Sequence, residues 1–131
     1  MRALADSEPE VIYAYTRAQA LDDGVLIDAS VLAKEAGFVF PVAVTDHLYH
    51  SIIVPALDLV AEGQSIMGRL WDILNVLRYT IATSKDDSYL QFSVLFVMTP
   101  GASPVPIDLI AVCGPGDSGD PVITLMLPGD D

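Results

Sequence analysis

The chain has 131 residues, 52% of them hydrophobic, and its 18 acidic against 6 basic side chains give a net charge of −12. Such acidity disfavours direct binding to nucleic-acid phosphates, and no apolar run approaches the ~18 residues of a membrane-spanning helix. The N-terminus lacks the apolar stretch of a signal peptide and Cys113 is the single cysteine, so we expect a cytoplasmic protein without an intrachain disulfide.

The N-terminal region is predicted to begin with short elements. Residues 1–10 are polar and are expected to form a loose tail before a single domain over 11–131. Thr16 and Gln19 have the spacing of a capping box, which predicts a short helix to about Asp22. Strand composition marks two short runs nearby, residues 12–15 and 25–27.

Two further short helices are predicted before residue 55. The first is capped by Asp28 or Ser30 and runs through Ala36, where Gly37 ends it. The second runs over about 46–54, with Thr45 as its cap. The apolar, proline-interrupted residues between these helices, 38–44, predict an edge strand or an extended segment.

The clearest predicted element is a long helix over about 65–83. Its apolar side chains recur at helical spacing and form one stripe, which predicts a face buried against the rest of the domain. The stripe consists of Ile66, Leu70, Ile73, Leu74, Leu77 and Ile81.

The last third of the chain changes to the alternating pattern of strands. Strands are predicted over 89–98, 107–113 and 122–127, joined by Pro- and Gly-rich turns, which indicates an antiparallel meander. Together with the preceding helices this predicts an α+β fold, with the long helix packed on a three- or four-stranded antiparallel meander. The third strand is too apolar for an open edge, so we expect it to be covered or paired. A second copy of the chain is one candidate for that role.

The segment Gly116-Asp117-Ser118-Gly119 resembles the nucleophile loop of a trypsin-like protease. Such a nucleophile needs an imidazole base, and both histidines, His47 and His50, fall in a predicted helix. The chain is also too short for the two barrels of that protease fold. The segment therefore favours a hairpin turn, and no catalytic residue is assigned.

Other candidate chemistry in the sequence is weak. Asp46, His47 and His50 share a helical segment, but a metal site needs further ligands, so neither a metal nor another cofactor is predicted. A weak partner or ligand contact is assigned to Arg17, Arg69, Trp71 and Asp72. The alternative is structural: Arg17 pairs locally, Trp71 packs at the edge of the core, and Arg69 pairs with Asp72.

Several blocks of this chain together resemble a family of small uncharacterised bacterial proteins, often carried on plasmids, phages and integrated elements. The resemblance implies a mobile-element accessory protein and brings no catalytic residues with it. The blocks are residues 12–20 together with 23–26, residues 36–38, 41–45 and 68–72, and residues 114–117 together with 121–129.

These observations predict a non-enzymatic protein that acts by protein–protein binding. Its high apolar content suggests a homodimer, and a host or mobile-element protein is a possible further partner. One alternative is an acidic DNA mimic that inhibits a host defence or DNA-binding protein. The other is a small ligand-binding domain or enzyme that uses the region of Arg17, Arg69 and Trp71.

Overall fold

The computed structural model describes residues 15–85 and 88–131, in which five strands and five α-helices are found. The predicted tail over 1–10 and most of the predicted strand over 12–15 lie outside these residues. The strands are β1 (Leu26–Asp28), β2 (Val42–Thr45), β3 (Tyr89–Phe96), β4 (Val105–Pro115) and β5 (Pro121–Met126). The helices are α1 (Arg17–Asp22), α2 (Ser30–Glu35), α3 (Asp46–Leu48), α4 (Leu57–Val60) and α5 (Ile66–Thr83), with α3 continuing into a π-helical turn, Tyr49–Ile53.

The strands form one mixed sheet in the order β1-β2-β5-β4-β3. β3, β4 and β5 make the predicted antiparallel meander. The sheet does not end there, because β2 pairs in parallel with β5 and β1 pairs antiparallel with β2. The α+β class is therefore confirmed, whereas a purely antiparallel sheet of three or four strands was wrong.

The position of β5 shows how this apolar strand is paired, as the sequence predicts. β5 lies between β2 and β4, with Leu125 opposite Val44 on one side and Ala111 on the other. A parallel neighbour needs a long crossover connection, and here α3 to α5, β3 and β4 all lie between β2 and β5. The apolar character of β5 is thus explained by burial within its own chain, and no second copy is required to cover it.

Helix α5 packs against β3 and supplies much of the core. Ser65 caps its start by accepting a hydrogen bond from the Gly68 amide at 3.0 Å. Of the predicted stripe, Leu70, Ile73, Leu74 and Leu77 are buried, Ile66 is half-buried, and Ile81 is exposed near the C-terminal end of the helix. No helix in the described residues, α5 included, is long and apolar enough to cross a bilayer.

The shorter helices follow their predicted caps in part. The Thr16–Gln19 capping box forms at α1, and Thr45 caps α3. At α2 the N-cap position is instead Ala29, and the Asp28 carboxylate accepts from the Ser30 amide at 3.0 Å. The single helix predicted over 46–54 is an α-helical turn followed by a π-helical turn.

Candidate functional site

The protease-like segment is a turn between β4 and β5, as the hairpin interpretation predicts. The Gly116 amide donates to the Asp120 carbonyl at 2.7 Å, which closes the turn. The Ser118 hydroxyl lies 3.4 Å from Asp120 Oδ2. The two imidazoles bond elsewhere, His47 to Asp130 and His50 to Asp46, so neither serves as a base for the Ser118 hydroxyl.

Asp117 in this turn holds the N-terminal helix in place. Its carboxylate accepts from the Arg17 amide at 2.8 Å and from the Ala18 amide at 2.9 Å. These two backbone hydrogen bonds lower the pKa of Asp117. With the Thr16 hydroxyl bonded to the Gln19 amide, the free amides at the start of α1 are satisfied by residues from both ends of the chain.

Arg17 anchors the same helix to the sheet. Its guanidinium donates to Thr124 Oγ1 at 2.6 Å and to the Ile123 carbonyl at 2.8 Å. Burial lowers the pKa of Arg17, although the charges of Asp117 and Asp28 act in the opposite direction. The expected local pairing of Arg17 is therefore replaced by contacts with β5, more than a hundred residues away.

Arg69 is a buried cation, with 2% of its surface exposed. Its guanidinium donates to the Ile52 carbonyl at 2.7 Å and to the Val97 carbonyl, and its centre lies 5.1 Å from the ring centroid of Phe96. Burial lowers the pKa of Arg69. The predicted pairing with Asp72 is not formed; Arg69 instead joins α5 to the π-helical turn and to the end of β3.

The structure does not gather the four residues assigned as a partner or ligand contact. Arg17 bonds to Thr124 on β5. The neighbouring residues Ile123 and Leu125 point into the core that α5 covers, and successive strand residues point to opposite faces, so Thr124 and Arg17 lie on the other face of the sheet. Arg69 lies on the opposite side of the sheet, within that core. Trp71 and Asp72 are exposed on α5. A partner contact for any of them stays a prediction.

Each of the two histidines bonds to a different aspartate. His47 Nδ1 lies 2.8 Å from Asp130 Oδ1, and His50 Nδ1 lies 2.7 Å from Asp46 Oδ1. Across residues 15–85 and 88–131, no three metal-ligating side chains lie together.

Asp130 fastens the C-terminal segment to the start of α3. Its carboxylate accepts from the Thr45 hydroxyl at 2.8 Å and from the Leu127 amide at 2.9 Å. Burial opposes ionisation, but the hydrogen bonds from His47, Thr45 and Leu127 outweigh it and lower the pKa of Asp130 below its ordinary 3.8. Ionisation of Asp130 therefore favours the folded state.

Replacing Asp130 with asparagine should give a pH-dependent loss of stability. The ionised carboxylate stabilises the fold above pH 3.8, and this contribution disappears as the pH falls through the lower folded-state pKa. The melting temperature of Asp130→Asn should lie below that of the wild type at neutral pH, and the gap should close in acid. Asp58→Asn serves as the control, because the Asp58 side chain is exposed and its carboxylate has no hydrogen-bond partner among the described residues. A gap that is unchanged down to about pH 3 would contradict the assignment.

A cleft of about 320 Å³ lies between the C-terminal half of α5 and the sheet, bordered by residues 37–40. Its interior is apolar and includes Leu77, Ala111 and Ile123, all buried. Its remaining lining residues are Gly37, Phe38, Val39, Phe40, Arg78, Ile81, Ser84, Ser88, Leu90 and Cys113. The exposure of Ile81 is thus explained, because the last turns of α5 line the cleft and do not face a packed core.

Gly37 brings the border of the cleft close to α5. Its φ of +100° is a conformation that favours glycine, and a Cβ atom there would lie 3.4 Å from Arg78 Nε. The guanidinium of Arg78 therefore packs directly on the Gly37 backbone at the mouth of the cleft.

One exposed cation, Arg78, lines the cleft, and two others belong to segments next to it. Among the described residues, Arg17 and Arg69 are bound within the fold, and the other three cations are Lys34, Arg78 and Lys85. Lys34 lines a depression that shares residues 37–40 with the cleft, and Lys85 follows the lining residue Ser84. Sequence reasoning missed this grouping, because three single cations in an acidic chain form no motif.

Comparison with known proteins identifies a family. Residues 4–131 match the profile of a family of unknown function, DUF6573, and the chain belongs to that family. No curated protein and no solved structure matches the chain.

Proposed function

We propose that this DUF6573 protein is a non-catalytic binding protein whose cleft takes an apolar carboxylate. The observation that carries the proposal is that Arg78 lines an apolar cleft, and Lys34 lines the adjoining depression, in a chain of net charge −12. Such a site matches a ligand with an apolar chain and an anionic head.

The size and lining of the cleft suit a small ligand. Its volume of about 320 Å³ lies at the lower end of the ~300–1,000 Å³ typical of ligand sites. Leu77, Ala111 and Ile123 supply an apolar interior, and burying an apolar chain there contributes about 0.8 kcal/mol per methylene group.

Arg78 is the residue best placed to hold the head group. A guanidinium offers two parallel donors to a carboxylate, and such charge-assisted bonds are stronger than neutral ones. The helix dipole does not account for its position, because Arg78 precedes the last turn of α5, where that field acts. In this otherwise acidic surface, the nearby cations also favour the approach of an anion.

The lining favours binding over catalysis. The described residues that line the cleft include hydroxyls of Ser84 and Ser88 and the Cys113 thiol, but no imidazole or carboxylate. A nucleophile of these types needs a neighbouring base for activation. The lining therefore supports retention of a ligand over a reaction on it.

Titration with octanoate, followed by NMR, should shift the resonances of residues that line the cleft. Arg78→Gln should weaken octanoate binding about tenfold, equivalent to about 1.4 kcal/mol, because one charge-assisted contact is lost. Octan-1-ol should bind both forms equally, since it lacks the charge. Asp72→Asn, an exposed charge change on the same helix, is the matched control and should leave octanoate binding unweakened. Equal octanoate affinity in Arg78→Gln and the wild type would overturn the assignment.

Protein binding is the second candidate, and it is favoured by the apolar rim of the cleft. Val39 is 86% exposed and Phe40 is 41% exposed, which suits contact with a macromolecule. A small apolar carboxylate and a partner protein could bind by the same chemistry, because an apolar C-terminus also ends in a carboxylate. If a peptide with a free apolar C-terminus binds and its amidated form does not, a protein C-terminus is favoured as the natural ligand. The sequence resemblance adds the proposal that this partner is a mobile-element or host protein.

The DNA-mimic hypothesis is less well supported by the geometry. A mimic presents its carboxylates to a partner, whereas many here bond to neighbouring groups of the same chain. These include Asp23, Asp28, Asp46, Asp108, Asp117, Asp120 and Asp130.

A further inference from the structure

We propose that two copies of this chain pair through the outer edge of β3, forming a continuous ten-stranded sheet. β3 is the last strand of the sheet, and among the described residues it pairs with β4 alone. Its eight residues therefore present one row of backbone donors and acceptors to a further strand.

This edge lacks the features that normally prevent strand addition. Residues 89–96 contain no charged residue, proline or glycine, and such residues are the usual protection of an edge. The opposite edge of the same sheet is different, because β1 has only three residues and carries Asp28. One edge is thus blunted and the other is open.

The distribution of charge selects a second copy as the occupant. Two chains of net charge −12 repel each other over most of their surfaces. From Ser88 to Ile107, however, the sequence carries no charged side chain. Two identical β3 edges can therefore meet with no carboxylate of β3 itself in the contact, and the neighbouring Asp108 is bonded to the Ser93 hydroxyl at 2.7 Å.

The pattern of burial along β3 is consistent with this pairing. Val94 and Phe96 are buried beneath α5, whereas Leu90 and Phe92 on the same face are only half-buried. On the other face Leu95 is 63% exposed. When Phe92 or Ser93 lies opposite the same residue of an antiparallel partner strand, the faces covered by α5 in the two copies lie on the same side of the joined sheet. The partner strand then covers part of the Leu90, Phe92 and Leu95 side chains.

Pairing between identical β3 edges also closes the assembly. A two-fold axis uses both open edges at once and leaves only the short β1 strands at the ends of the joined sheet. The expected species is therefore a dimer and not a growing fibre. The paired edge does not include Arg78, so Arg78→Gln should still dimerise, although Leu90 of β3 also lines the cleft.

Sedimentation over a range of protein concentrations tests the proposal. The wild type should reach twice the monomer mass, and Gln91→Lys/Ser93→Lys should stay monomeric, because lysines on an edge strand oppose pairing. These lysines lower the net negative charge, so repulsion between two strongly acidic chains cannot explain the loss, which must arise at the edge itself. Ala102→Lys/Ser118→Lys makes the same charge change at exposed turn positions and should still dimerise.

Amide hydrogen exchange on the wild type gives a readout that needs no variant. Amides of β3 should become more protected as the protein concentration rises, while those of β1 should not. A wild type that is monomeric at all concentrations, or a dimer that the β3 lysines leave intact, would overturn the proposal. A dimer lost equally in the turn control would also count against it.

Discussion

Arg69→Ala is expected to lower the free energy of unfolding by about 3–5 kcal/mol. The Ile52 and Val97 carbonyls would lose their charged donor, at about 1–3 kcal/mol for each unsatisfied group, and the packing on Phe96 would be lost as well. Small domains have only about 5–15 kcal/mol of stability in total, so chemical denaturation should show a large shift in the midpoint.

Two further substitutions separate the causes of that loss. Arg69→Met keeps much of the apolar stem but leaves both carbonyls without a donor, so it should recover only part of the stability. Arg17→Met removes a cation from the opposite side of the sheet, where the guanidinium is only partly buried, and should cost less. If Arg69→Ala unfolds at the same denaturant concentration as the wild type, the structural role assigned to Arg69 is incorrect.

Leu125→Ala should cost about 2–5 kcal/mol, the usual range for truncating a fully buried leucine. Leu125 is 0% exposed and lies on the central strand β5, between Val44 and Ala111. Because its neighbours belong to the same chain, the loss should be independent of protein concentration. Denaturant unfolding at two concentrations well apart measures this directly.

Leu95→Ala provides the matched comparison for Leu125→Ala. The same side chain is removed from a strand, but Leu95 is largely exposed, so little stability should be lost in the dilute monomer. If the loss in Leu125→Ala depended strongly on protein concentration, burial by a second copy would be indicated and the central position of β5 would be contradicted.

The sequence predicted those elements whose signals are local. The apolar spacing from Leu70 to Leu77 predicted the buried face of α5, because side chains three and four residues apart lie on one side of a helix. The capping box at Thr16 predicted the start of α1, since its partners are three residues apart. The turn at residues 116–120 was likewise predicted from its own residue types.

The sequence did not predict the neighbours of β5 or the contents of the cleft. Val44 and Leu125 come together across most of the chain, and no local pattern encodes a parallel pairing through so long a connection. Arg78 and Gly37 meet only because α2 and α5 pack side by side. Asp117 likewise caps a helix one hundred residues before it.

The sequence by itself determined the acidic charge, the helical and strand periods, the turn chemistry and the α+β class. Each of these depends on residue type or on spacings of a few positions. Only the tertiary structure decided that β5 is central, that Arg17 and Arg69 are anchors on opposite sides of the sheet, and that Arg78 lines an apolar cleft. These features arise from contacts between distant segments, where the energetic gain depends on the geometry of the assembled sheet and not on neighbouring residues.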